Sequence, residues 1–338
     1  MRAFTPLLAG ALLVFAPVPA RGGPPLREEG ERREKLTADL KAALGAAATP
    51  AAKAAILTRA YRAEPSPDVR RVIFEFLPPQ LDAAIDSFLT DVLTGDADAG
   101  LRSLAAKALG AHGTDQCLPA LAKAAATDKE TVLQIGCIAG KGTARRTATF
   151  AIAEWAGRYP KLADKAAAAL RDLNPPADPN DNESLADARV QALYQVTRDE
   201  KLLTPFLEQL RSKDAKVRET GVVAFRYFKL RVAPMELVAA LSDADAGVRS
   251  WAGLTLGEIG DPKTVPGLMA AAGDPKEDTG VRCNAIHSLG RMKAAAATEL
   301  MRKLLADESE AVQVQAAIAL YRLAGEKVKQ FPAGYKAD

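Results

Sequence analysis

The sequence predicts an all-α fold, a right-handed α-solenoid of about nine stacked helix pairs. Three observations predict it. The first is self-similarity: DADAGVRSWAGLTLGEIG at 243–260 returns as DTGVRCNAIHSLG at 278–290, as DAGLRSLAAKALG at 98–110 and, more loosely, as DAKVRETGVVAFR at 214–226. Aligned on the Val position, nine anchors appear: Val69, Leu101, Val132, Leu162, Ala188, Val217, Val248, Val281 and Val312, with steps of 26 to 33 residues. A period near 31 marks a stacked repeat protein, in which each unit buries its apolar face only against its neighbours. The second observation is the spacing inside each copy. Small or apolar pairs mostly stand four and five residues after an anchor, as in Ala105-Ala106, Ala166-Ala167, Ala252-Gly253 and Ala316-Ala317, and a large apolar residue stands eight after every anchor but Val132, where Gly140 breaks the row. Offsets 0, 4, 5 and 8 share one helical face, the buried stripe of an amphipathic helix. The third is composition: aromatic residues are only 5% of the chain, and abundant Ala suits close-packed helices better than sheets.

The first residues differ from the rest. Arg2 gives a positive start, Leu7 to Val14 form an uncharged apolar run, and Val18-Pro19-Ala20 offers small residues for cleavage after Ala20. Residues 1–20 therefore read as a secretory signal peptide, with a membrane anchor as the alternative. The short run and Pro6, Pro17 and Pro19 disfavour a spanning helix, and no integral membrane segment is expected after cleavage. The expected location is exported, periplasmic or secreted. Residues 21–35 read as a flexible leader. The spacing of Leu36, Leu40 and Leu44 predicts a capping helix that opens an N-terminal array over 36–173. Pairs at 50–63 and 67–77 follow, and then first helices at 79–94, 115–126, 143–157, 199–211, 232–242, 263–272 and 294–306 alternate with second helices that start just before each anchor. NPPADPNDNES at 174–184 cannot be helical and is read as a hinge between arrays or as a surface insertion. A C-terminal array over 185–325 and a tail over 326–338 complete the chain.

The repeated motif resembles the HEAT repeat, especially the short HEAT-like repeat of phycobilisome lyases and of bacterial scaffold proteins. The resemblance spans roughly residues 50–325 and speaks to architecture more than to function. Asp precedes Arg by four residues in Asp98/Arg102, Asp214/Arg218, Asp245/Arg249 and Asp278/Arg282. Each Asp is expected near a helix N-cap, accepting backbone N–H bonds. Each Arg falls one residue past the buried anchor, and the HEAT resemblance implies that such pairs form a structural ladder along the stack.

Motifs for chemistry fail one by one. AGKGT at 139–143 lacks the spacing of a phosphate loop, and DPNDNE at 178–183 has Glu183 where a calcium loop needs Gly. His112 and His287 are far apart, and the repeated His-Glu pairs of HEAT-like metal hydroxylases are missing from the sequence. No metal or other cofactor is expected. The three Cys (Cys117, Cys137 and Cys283) form no CxxC and read as reduced, mostly buried thiols. Lys plus Arg exceed Asp plus Glu by only 45 − 42 = 3, which is not the charge of a dedicated nucleic-acid binder.

The face opposite the stripe is more informative. Offsets 3, 6 and 10 carry Tyr194, Tyr227, Trp251, Leu254, His287 and Arg291, an aromatic-apolar band rimmed by Arg, the composition of binding hot spots. In HEAT solenoids second helices usually line the concave surface. The expectation is a non-catalytic exported scaffold that binds a protein or peptide there. A bilin lyase or isomerase-like enzyme and a HEAT-type nucleic-acid binder are the alternatives. Partner identity and oligomeric state are not legible.

Overall fold

The computed structural model describes residues 26–79, 81–128, 144–174 and 185–325. The expected signal peptide, most of the Pro- and Asn-rich stretch, the tail, Val132, Cys137 and the AGKGT motif lie outside the described residues. The described residues form α-helices and short 3-10 turns throughout, so the all-α solenoid expectation holds. They divide into two compact units, 26–199 and 200–325.

The first unit opens with α1 (Leu26–Ala46), so residues 26–35, read as part of a flexible leader, already belong to the capping helix; it packs on α2 (Pro50–Ala63) and on the 3-10 turn Arg71–Phe76 that continues α3 (Pro67–Arg70). Three helix pairs follow: α4 (Ala83–Gly95) with α5 (Ala99–His112), α6 (Leu118–Thr127) with α7 (Ala144–Arg158), and α8 (Ala163–Asp172) with α9 (Leu185–Thr197). The row of second helices is α5, α7, α9, because α7 lies along both α5 and α9. This corrects the phase read from the sequence. Residues 143–157 were expected to be a first helix and the Leu162 helix a second one; their places are exchanged. In the observed register the α7 anchor is Ala144, with Ala148, Thr149 and Ile152 buried at offsets 4, 5 and 8. The steps become 144 − 101 = 43 and 188 − 144 = 44 residues, two long repeats in place of three short ones. Together with the first unit's α2/α3 pair and the second unit's four, the described residues hold eight helix pairs and α1.

The second unit is regular. Its pairs are α10 (Thr204–Gln209) with α11 (Ala215–Ala224), α12 (Met235–Ala239) with α13 (Ala246–Ile259), α14 (Val265–Gly273) with α15 (Thr279–Arg291), and α16 (Thr298–Leu304) with α17 (Glu310–Ala324). Val248, Val281 and Val312 are fully or almost fully buried, as are the residues at offsets 4 and 8 after each. Burying one such aliphatic side chain contributes about 1.5–3 kcal/mol. Val217 departs from the pattern and is 38% exposed. Its repeat is centred instead on Phe206, Phe225 and Phe228, whose rings meet edge-on or tilted at 4.9 to 6.5 Å. Three large rings fill the space that the anchor fills elsewhere.

Small residues set how closely second helices approach. A Cβ built on Gly110 of α5 would stand 2.8 Å from the Ala151 Cα of α7, and one on Gly290 of α15 would stand 3.1 Å from the Ala319 Cα of α17. Gly257 of α13 gives the same room to Ser288 of α15. Buried hydroxyls use the proximity: Ser288 Oγ donates to Gly253 O at 2.9 Å, and Thr255 Oγ1 donates to Val222 O at 3.3 Å. α9 belongs with the first unit, so residues 185–199 are not part of the second array as the sequence suggested.

Candidate functional site

The Asp residues of the repeated motif do what their position dictates. Asp98, Asp214, Asp245 and Asp278 are the N-caps of α5, α11, α13 and α15, accepting backbone N–H bonds at 2.8 to 3.3 Å. The Arg residues form a ladder, but not with those Asp. Arg102 is bidentate to Asp128 at 2.7 and 2.9 Å, Arg218 to Asp243 at 2.7 Å, Arg249 to Glu277 at 2.7 Å, and Arg282 to Asp307. Arg70 begins the series on Asp96 at 2.5 Å. Each capping Asp turns Oδ1 to the N–H groups of its own helix, and the Arg crosses to an acid 25 to 28 residues later, in the next repeat. Four of these acids also accept a backbone N–H at the following cap: Asp96 from Asp98, Asp243 from Asp245, Glu277 from Asp278 and Asp307 from Ser309. These four rungs tie one repeat's Arg to the next repeat's cap.

The remaining Arg donors bind carbonyls of the turn before their own helix. Arg249 Nη1 donates to Asp243 O at 2.7 Å and Ala244 O at 3.1 Å; Arg218 Nη1 does the same to Ser212 O and Lys213 O. The Arg218 guanidinium bonded to Asp243 holds that carboxyl below its usual range, and Arg249 and Arg282 do likewise to Glu277 and Asp307. Arg145 and Arg189 occupy the matching positions of α7 and α9 and donate to the Ala125 and Leu173 carbonyls. An Arg one residue after every anchor from Val69 to Val281 was the signal that would have fixed the register; Val132 and Leu162 lack it.

The expected binding band is partly assembled. Trp251 and Leu254 on α13, His287 and Arg291 on α15, and Tyr227 after α11 all lie on the second helices of residues 200–325. Trp251, Leu254, His287 and Tyr227 are half-buried, and Arg291 is exposed. Arg226 stands over the Trp251 ring at 5.5 Å and is bidentate to Glu258 at 2.8 and 2.6 Å, while Arg291 reaches Glu258 at 3.4 Å. One carboxylate thus links three successive second helices at the rim of the band. Burial, then the Arg322 and Arg291 charges, hold the His287 imidazole below its ordinary range. Tyr194 does not join the band. It is 8% exposed, belongs to the first unit and lies under the Arg198 guanidinium at 5.6 Å; Gln191, one turn earlier, is 2% exposed. The face read as solvent-exposed is therefore covered at both positions.

The first unit holds a buried polar group that the sequence did not signal. Asp86 Oδ2 accepts from Thr114 N at 2.9 Å, Thr114 Oγ1 at 2.5 Å and Cys117 Sγ at 3.0 Å. Trp155 Nε1 donates to Thr114 O at 2.8 Å, and Arg158 Nη1 and Tyr159 Oη donate to Gly113 O. Burial and then the Asp86 carboxylate push the Cys117 thiol up to about 12, and burial pushes Cys283 up to about 11. Neither carries the thiolate that nucleophilic chemistry needs. Among the described residues no group of three or more His, Cys, Asp or Glu is placed to hold a metal ion, and no helix is long and apolar enough to cross a membrane.

Paired helices stacked through a recurring geometry of caps, arginines and small residues define a helical repeat protein. The HEAT repeats family matches residues 203–279 and 275–331, and the PBS lyase HEAT-like repeat matches 101–127. The matched residues are HEAT repeats, as the resemblance implied. No curated protein matches it significantly. Among solved structures it is similar to the Escherichia coli protein YibA, with 16% identity over 90% of this chain and 100% of that one and a TM-score of 0.42. It is also similar to human deoxyhypusine hydroxylase in complex with glycerol, with 16% identity, 82% and 98% of the two chains covered and a TM-score of 0.33. For the complex of CpcE and CpcF of phycocyanin lyase from Nostoc the figures are 19%, 74%, 67% and 0.22.

Proposed function

We propose that the protein is an exported HEAT-repeat scaffold, without catalysis of its own, that binds a protein or peptide partner on the concave face of its 200–325 repeats. HEAT repeats commonly mediate protein interactions. In this unit α11, α13, α15 and α17 pack more intimately than the first helices do. In a stack of helix pairs the row with the closer spacing is the inner, shorter side, and so the concave one. The observation that carries the reading is the half-buried band of Trp251, Leu254, Tyr227 and His287 on that row, rimmed by Arg226 and Arg291. An aromatic body with a charged rim is the composition of an interaction hot spot. The Arg2, Leu7–Val14 and Ala20 pattern supports export, and the net charge of +3 argues for a protein partner rather than nucleic acid.

Two experiments test this. Trp251→Ala should leave the melting temperature almost unchanged and weaken capture of the native partner from envelope extract about tenfold or more, while Glu299→Ala on α16 changes neither. A large stability loss with unchanged capture would make Trp251 a packing residue and remove the site. N-terminal sequencing of the native protein should find a mature chain starting at about Arg21; an intact Met1 in the cytoplasm would refute export.

A further inference from the structure

The second helices of residues 200–325 have two chemically opposite edges. The ladder joins their N-terminal ends, and the Arg226–Glu258–Arg291 chain joins their C-terminal ends, so like ends lie together. At the N-terminal edge, residues 212–218, 243–249, 274–282 and 307–312 carry six Lys or Arg and nine Asp or Glu, a balance of 6 − 9 = −3. Arg218, Arg249 and Arg282 there are each spent on a carboxylate. At the C-terminal edge, residues 226–231, 258–263, 291–293 and 322–325 carry seven Lys or Arg against Glu258 and Asp261, a balance of 7 − 2 = +5. Neither acid is available to neutralise it further. Glu258 already serves Arg226 and Arg291. Asp261 is 4% exposed and accepts the Ala233 and Lys263 N–H groups at 3.0 Å.

Cations at helix C-termini complement the helix dipole, but four helix ends supply only about −2 in partial charge against the +5. The edge stays positive. It is not purely polar either: Val232 is 64% exposed, Met235 84% and Tyr321 58%, beside Arg231 and Arg322, and Trp251 lies under Arg226.

We propose that this C-terminal edge docks an acidic segment of a partner protein, one that carries apolar side chains among its carboxylates. The proposal rests on the binding function above and names the partner's chemistry. Charge complementarity selects the occupant. A helix of 14 residues such as α13 separates the two edges by about 21 Å. That is more than two Debye lengths at physiological salt, so a short segment on the basic edge does not feel the acidic one. A duplex or an anionic membrane laid along the second helices spans both edges and meets the −3 as well as the +5.

The test is fluorescence anisotropy on the full mature chain with a short labelled peptide of alternating Glu and Leu. A Lys-and-Leu peptide, single-stranded DNA and phosphatidylserine vesicles are the comparison probes. The acidic peptide should bind best, lose affinity as salt rises, and bind the Arg291→Glu/Arg322→Glu protein roughly tenfold or more weakly. Lys213→Glu/Lys216→Glu, an equal charge change at the other edge, should alter affinity less than about twofold. Lys293→Glu, at an exposed position, gives a second variant should the double one unfold. Preference for the Lys peptide, the DNA or the vesicles, or equal loss in both double variants, would overturn the proposal. If Trp251→Ala abolishes native capture and Arg291→Glu/Arg322→Glu does not, the scaffold reading stands and the acidic-segment inference falls.

Discussion

The two units solve the same packing problem with different repeat lengths. In residues 200–325 successive anchors are 31, 33 and 31 residues apart; from α5 to α9 the steps are 43 and 44. The long repeats nonetheless keep the interlock of the short ones. Ala144 is buried where Val248 is, Arg145 follows it as Arg249 does, and Gly110 meets Ala151 as Gly257 meets Ser288. The added length comes between α6 and α7 and between α8 and α9, the two helices of one pair. The difference teaches that the number of residues between paired helices can vary while the second-helix seam, fixed by contact, does not.

The largest effect should come from the first unit's own centre. Trp155 is fully buried and hydrogen-bonded, so Trp155→Ala is expected to cost about 3–5 kcal/mol. Hydrogen exchange should then show protection lost within 81–174 and kept within 246–325; equal loss in both would mean that the units are one cooperative body. Next is the seam. Gly110→Leu and Gly257→Leu place a side chain against neighbouring helix atoms, and each should cost about 3 kcal/mol. Denaturant midpoints that moved for Gly257 alone would show that the long repeats do not share the seam. The ladder should matter less. Arg249→Ala removes a bidentate carboxylate contact and two carbonyl bonds at a side chain 19% exposed, for about 1–2 kcal/mol after allowance for solvent. Arg249→Lys should fall between, because an ammonium cannot make the paired bonds; a lysine variant equal to wild type would reduce the rung to simple charge.

The smallest effect is a pH dependence. The His287 imidazole is held below its ordinary range when folded, so below about pH 6.5 the unfolded chain takes up the proton first and stability falls. His287→Gln should flatten the melting-temperature profile between about pH 7 and 5.5 by less than ~1 kcal/mol. The ladder carboxylates act lower: Asp243, Glu277 and Asp307 titrate below their ordinary range when folded, so their contribution is complete above about pH 4.5 and is lost as the pH drops through their folded values. A profile unchanged by His287→Gln would place the neutral-range loss elsewhere.

The sequence by itself determined what is local. The 3.6-residue spacing specified helices, the Asp before each Val-Arg specified N-caps, and the period specified stacking. The first two are relations between residues within a turn or two of one another, where backbone geometry alone carries the information, and the period is the same local pattern returning along the chain. Trp251, Leu254 and His287 were legible as a face for the same reason, because α13 and α15 bury only the opposite stripe. The tertiary structure decided which acid meets each Arg, since the Asp four residues before is occupied by its own helix and the partner comes from the next repeat. It decided that Tyr194 is buried although its offset is the same as that of half-buried Leu254 and His287, and that Val217 is exposed in the repeat whose core is built from three Phe rings. It also decided the phase between residues 101 and 188, where steps of 31, 30 and 26 and steps of 43 and 44 span the same 87 residues: the Arg after each anchor pointed to the second choice, and Ala151 against Gly110 shows it.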